Sequence, residues 1–166
     1  MRHREQGLLC AAALIGCLIL VACSGNRDNA APYTPGLGEI MTLTQMRHAK
    51  LWYAGEAGNW ELAAYELDEL EEGFAEARKF HQTHKDAPQP LNQVLPTMVD
   101  APLAALRIAV DKHDPGAFAA AFDALTDGCN ACHRTMKFGF NVVQRPSASA
   151  FPNQNFTPAT PGPPAS

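Results

Sequence analysis

The sequence predicts an all-α fold, an antiparallel up-down four-helix bundle. Apolar residues recur at helical spacing through four segments of about 20 residues each. No β-branched run with period-two alternation occurs in the chain. Short connections between helices of this length favour sequence neighbours packed antiparallel. The chain of 166 residues suits one domain, with ends of different character.

The first helix is expected from Leu37 to Ala54, with Met41, Thr44, His48, Leu51 and Gly55 on one stripe flanked by Ile40 and Trp52. Asn59 is placed to cap a second helix running to about His81, whose stripe passes through Trp60, Ala63, Leu67, Leu70, Phe74, Ala77 and His81. Its opposite face, with Glu61, Asp68, Glu69, Glu72, Glu76 and Lys79, reads as solvated. Pro96 and Pro102 interrupt the third segment, Leu91 to Lys112. A kink at Pro102 is expected there, or a short helix followed by a longer one from Ala101. Asp114-Pro115 supplies a cap and a first-turn proline for the fourth helix. That helix is expected to pass His133 and stop between Lys137 and Gln144, with Phe118, Phe122, Leu125, Cys129, Cys132, Met136 and Phe140 on its stripe. The bundle is thus bounded at residues 37–144.

Residues 1–22 have a basic start, Arg2 and Arg4, and an apolar run from Leu8 to Ala22. At about 15 residues the run falls short of the roughly 20 a spanning helix needs, and the profile is that of a secretory signal. Leu20-Val21-Ala22-Cys23 resembles the bacterial lipoprotein box. The resemblance implies that Cys23 carries diacylglycerol, becomes the mature N-terminus and ties the chain to a membrane in the periplasm. Leu14-Ile15-Gly16-Cys17 fits the same pattern with a shorter apolar region, and an ordinary signal with incidental cysteines is the plain alternative. Residues 23–36 read as a flexible tether and the Pro- and Ser-rich residues 145–166 as an extended or disordered tail.

Of five cysteines, Cys10 and Cys17 leave with such a signal and Cys23 takes the lipid, so only Cys129 and Cys132 stay in the mature domain. Loss of residues 1–22 takes 13 basic and 17 acidic residues to 11 and 16, a net charge of −5, which disfavours nucleic acid as a partner.

Chemistry concentrates in Gly128-Cys129-Asn130-Ala131-Cys132-His133-Arg134. On a helix Cys129, Cys132 and His133 emerge on neighbouring parts of one face. C-x-x-C-H is a c-type haem attachment signature. Two vinyl groups on one porphyrin edge need two thiols at fixed separation, and the next imidazole then reaches the iron. A structural zinc site needs four ligands, usually in two pairs, and no second pair exists. A thioredoxin-type dithiol is expected beside a βαβ pattern, which is missing. Two merely buried cysteines would not call for His133.

A "CNACH" near the end of the last helix of a four-helix bundle resembles the class II cytochromes c, the cytochrome c-prime group and its low-spin relatives. The likeness spans roughly Leu37 to Gln144. A basic residue four positions after the histidine matches at Lys137, while Met136 stands where the family has a large apolar Phe. The resemblance implies one haem c, thioether-linked to Cys129 and Cys132, with His133 as proximal iron ligand. It also implies a sixth ligand, or none, from early in the first helix. Met41 and His48 fall within roughly 20° of each other on the apolar stripe, whereas Met46 points roughly 140° away from Met41. A fourth helix stopping near Gly139 favours Met41 by depth; one reaching Gln144 favours His48. Each has a plain alternative, core filler for Met41 and a hydrogen-bonded histidine for His48. Arg134 and Lys137, with Arg47, are candidates for propionate contacts, although solvation is the ordinary role of each.

The expected function is that of a lipid-anchored monohaem cytochrome carrying single electrons between redox partner proteins, not an enzyme. Acidic balance favours a partner with a basic docking patch, and a homodimer is admitted. The alternative is a five-coordinate haem module that binds NO or CO in a pocket walled by Ile40, Leu51 and Trp52. A peroxidase would need a distal acid–base pair, and only His48 offers itself.

Overall fold

The computed structural model describes residues 33–85 and 87–159, so the signal, Cys23 and most of the tether lie outside the described residues. Within the unit Pro35–Ser166 there are four helices: α1 (Leu37–Glu56), α2 (Trp60–Phe80), α3 (Leu91–Asp111) and α4 (Pro115–Thr135). No strand occurs among the described residues. The all-helical expectation holds, and the four segments coincide with the four predicted stripes.

Two tight connectors share one construction. After α1, Gly58 takes a left-handed backbone (φ 69°), and the Asn59 N–H donates to the Ala54 carbonyl at 2.9 Å. After α3, His113 (φ 53°) does the same, with the Asp114 N–H on the Ala109 carbonyl at 3.0 Å. In both, the next residue caps the following helix. Asn59 accepts from the Leu62 N–H at 3.2 Å, and Asp114 accepts from the Gly116 and Ala117 N–H groups at 3.0 Å each.

α3 is one continuous helix through Pro96 and Pro102, so the division into a short and a longer helix, one of the two expectations, does not occur. Val94, Leu95, Val99, Leu103 and Leu106 are buried on both sides of the prolines, so tertiary packing outweighs the lost backbone bonds. Pro102 has no N–H for the Met98 carbonyl. That oxygen lies against Gly128 of α4, where an added Cβ would overlap it.

α4 ends at Thr135, earlier than expected. Lys137 takes a left-handed backbone (φ 65°), the Phe138 N–H closes on the His133 carbonyl at 2.7 Å, and the Lys137 N–H on that of Arg134 at 3.2 Å. Phe140 therefore leaves the stripe and is 83% exposed.

The core joins Ile40, Leu51, Trp52, Leu67, Leu70, Phe74, Val99, Leu106, Phe118, Phe122 and Leu125. α1 packs closely with α2, α3 with α4, and α2 with α3, while α1 and α4 pack less closely. Residues 141–159 contain no helix or strand, yet residues 145–157 make specific contacts that their composition does not foretell. Arg145 lies 4.2 Å over the Trp52 ring and pairs with Asp123. The Tyr53 hydroxyl donates to the Ala148 carbonyl, and Phe156 packs on Tyr53 at 5.2 Å.

A candidate haem site at the seam of the first and last helices

A cavity of about 340 Å³ opens between the start of α1 and the end of α4, inside the range for small-molecule and cofactor sites. Cys129, Cys132, His133 and Met136 of α4 line it, facing Met41, Thr44 and His48 of α1, with Leu70 and Phe74 of α2 and Leu95 and Val99 of α3. Met41 is partly buried on this wall, while Met46 does not line it.

The spacing within α4 sets the chemical wall. Cys132 is buried, and Cys129 is partly exposed as a residue. Burial first, and then the neighbouring Cys132, push the Cys129 thiol up to about 12, and burial raises that of Cys132. Both sulfurs are thus held as neutral thiols, the reverse of the depressed values a reactive dithiol needs.

His133 is oriented by residues beyond the helix. Its Nδ1–H donates to the Asn141 carbonyl at 2.6 Å, which leaves Nε2 with the free lone pair. The loop carrying Asn141 is pinned by Asn130 within the motif: Nδ2 donates to the Val143 carbonyl and Oδ1 accepts from the Val143 N–H, both at 2.8 Å. A ligating histidine whose second nitrogen bonds a backbone carbonyl is the usual arrangement at metal sites.

His48 is 3% exposed and lies against Phe122, ring centroids 4.3 Å apart. Thr126 donates its hydroxyl to the Phe122 carbonyl at 2.9 Å, so the 2.8 Å contact with His48 is Nε2–H donating to Thr126 Oγ1. Burial lowers the His48 pKa to about 4, which keeps the ring neutral.

The predicted propionate partners do not gather here. Arg134 and Lys137 are exposed and outside the cavity lining, and Arg47 is engaged by Glu69, through its carboxylate at 2.7 Å and its carbonyl at 2.9 Å. The cavity brings in residues that helical periodicity did not single out: His84 and Lys85 from the α2–α3 connector, and Phe138, Asn141 and Val143 after α4. They come from irregular segments, where no periodic signal exists.

The pocket suits a flat, largely apolar macrocycle: hydrocarbon walls, two neutral thiols side by side, and an imidazole with its Nε2 unspent. Among the described residues no group of three or more His, Cys, Asp or Glu side chains forms a cage for a bare metal ion. Neither a protein-family model, nor a curated protein, nor a solved structure matches this chain.

Proposed function

We propose that the chain is a monohaem c-type cytochrome that carries single electrons, with haem c held by Cys129 and Cys132 thioethers and His133 as proximal ligand. The observation that carries this reading is the convergence of Cys129, Cys132 and His133 on one wall of an apolar cavity, with His133 Nδ1 already committed to Asn141. Haem, when bound, supplies the one-electron ferric/ferrous couple. The chain's own residues hold the imidazole by one hydrogen bond, present neutral thiols and line the site with Leu70, Phe74, Leu95 and Val99, which exclude water.

The up-down antiparallel arrangement belongs to this proposal. Ion pairs between α1 and α2 run in opposite sequence order, Arg47 with Glu69 and Lys50 with Glu66. So do those between α2 and α3, Arg78 with Asp100 and Arg107 with Asp68. Contacts of α1 with α4 follow suit, His48 with Thr126 and Trp52 with Phe118.

For the sixth ligand we propose Met41. α4 ends at Thr135, and an early end of this helix favours Met41 by depth, while the His48 ring is held between its hydrogen bond to Thr126 and its contact with Phe122. Ferric and ferrous absorption spectra of the wild type, Met41→Ala and His48→Ala test this. The wild type and His48→Ala should be six-coordinate low-spin, and Met41→Ala high-spin. A high-spin wild type that shifts on adding CO or NO would overturn the assignment in favour of gas binding. Membrane attachment through Cys23, in the periplasm, is part of the same proposal and rests on the Leu20-Val21-Ala22-Cys23 box. Cys23→Ala should abolish incorporation of labelled fatty acid.

A further inference from the structure

The cavity lining divides into a buried, mainly apolar wall and an exposed polar rim. Thr44, His48, Leu70, Phe74, Leu95 and Val99 form a buried wall, while Thr42, Gln45, Lys85 and Asn141 are exposed at the rim. A haem has the same division, a broad apolar ring with two carboxylates on one edge. Burying that edge unpaired is costly, so it belongs at the wet rim beside a cation.

The lining residues offer little choice of cation. Among the described lining residues Lys85 is the one lysine or arginine, and none is acidic. Among the described residues Lys85 forms no ion pair, and no acidic side chain of the described lining competes for its ammonium. Its backbone sits in the left-handed region at φ 44°, a conformation unfavourable for a lysine, in a turn closed by the Ala87 N–H on the His84 carbonyl at 3.0 Å. His84, beside it, packs against Phe138 at 6.0 Å between ring centroids. The residues singled out on α4 for this role, Arg134 and Lys137, are not part of the lining.

We infer that the α2–α3 connector binds the carboxylate edge of the haem through the Lys85 ammonium and the His84 imidazole, an inference that rests on the haem reading above. Arg134 and Lys137 are then surface residues, and the connector works as an electrostatic control on the iron. A cation beside the carboxylates offsets negative charge near the metal and so favours the ferrous state.

The test uses the mature full chain carrying its haem, with Lys85→Gln, Lys85→Arg, His84→Phe, Arg134→Gln and Lys137→Gln variants. Redox titration at low ionic strength should show Lys85→Gln lowering the ferrous-to-ferric ratio at fixed ambient potential by roughly two- to fivefold, the range of a partly exposed ion pair. Lys85→Arg should restore the wild-type ratio, and Arg134→Gln and Lys137→Gln should leave it unchanged. Resonance Raman bands of propionate bending should move in both Lys85→Gln and His84→Phe. An unmoved ratio and unmoved bands in the connector variants would overturn the inference, as would a shift confined to Arg134→Gln or Lys137→Gln. A wild-type chain without covalent haem, seen by haem staining after denaturing electrophoresis, would overturn the haem reading and this inference together.

Discussion

Gly128 precedes Cys129, and its lack of a side chain lets α4 rest on the Met98 carbonyl that Pro102 leaves without a helical partner. A methyl group there meets backbone, which cannot rotate aside. Gly128→Ala should therefore cost about 1–3 kcal/mol, the range for overpacking, and lower the urea midpoint. His48 carries a different liability. Its pKa falls from 6.5 in the unfolded chain to about 4 when buried, so between those values the unfolded state binds the extra proton. The titration of this residue leaves stability unchanged well above pH 6.5, and stability declines as pH falls towards 4, by roughly 3 kcal/mol in all. Urea unfolding at pH 7 and pH 4 should show that His48→Gln loses this part of the pH dependence. Helical spacing places His48 on the core stripe. Its hydrogen bond to Thr126 is beyond that signal, because the two are 78 residues apart in the chain.

Individual elements show where sequence signals are strong. The caps at Asn59 and Asp114 are legible because capping involves a side chain and N–H groups two or three residues on. The end of α4 is not, since the left-handed position belongs to Lys137 and not to glycine. Replacement by the residue suited to that backbone, Lys137→Gly, should stabilise the protein by about 0.5–1 kcal/mol, read as a higher thermal midpoint. α3 errs in the other direction. Two prolines predict an interruption, but apolar burial on both sides keeps one helix. The cavity follows the same division. Cys129, Cys132, His133, Met41 and His48 are found by spacing, whereas Lys85, His84 and Asn141 enter from connectors whose paths depend on the helices they join.

Across the whole molecule, the segment after Gln144 joins α1 to α4. Arg145 stacks on Trp52 of α1 and pairs with Asp123 of α4, and the Asn59 side chain donates to the Thr157 carbonyl at 3.4 Å. Truncation after Gln144 should remove a cation–π contact of about 0.5–2 kcal/mol and the aromatic cover on Tyr53. The expected result is a lower unfolding midpoint with a shift in tryptophan fluorescence, while helix content by circular dichroism stays near that of the full chain. From His48 at the cavity's edge onward, α1 and α4 touch through His48, Trp52 and Gly55 on one side and Phe118, Phe122 and Thr126 on the other. At the cavity the first turns of α1, with Leu37, Met41 and Gln45, face α4 across open space. An occupant of that space adds to the core packing of Leu37 and Met41, so one that binds the ordered form more tightly links helical order at the start of α1 to occupancy. Each tenfold preference of the occupant for the ordered form adds about 1.4 kcal/mol to the free energy of opening those turns. Amide exchange at the start of α1 should therefore slow when the site is filled, far in sequence from Cys129 and Cys132.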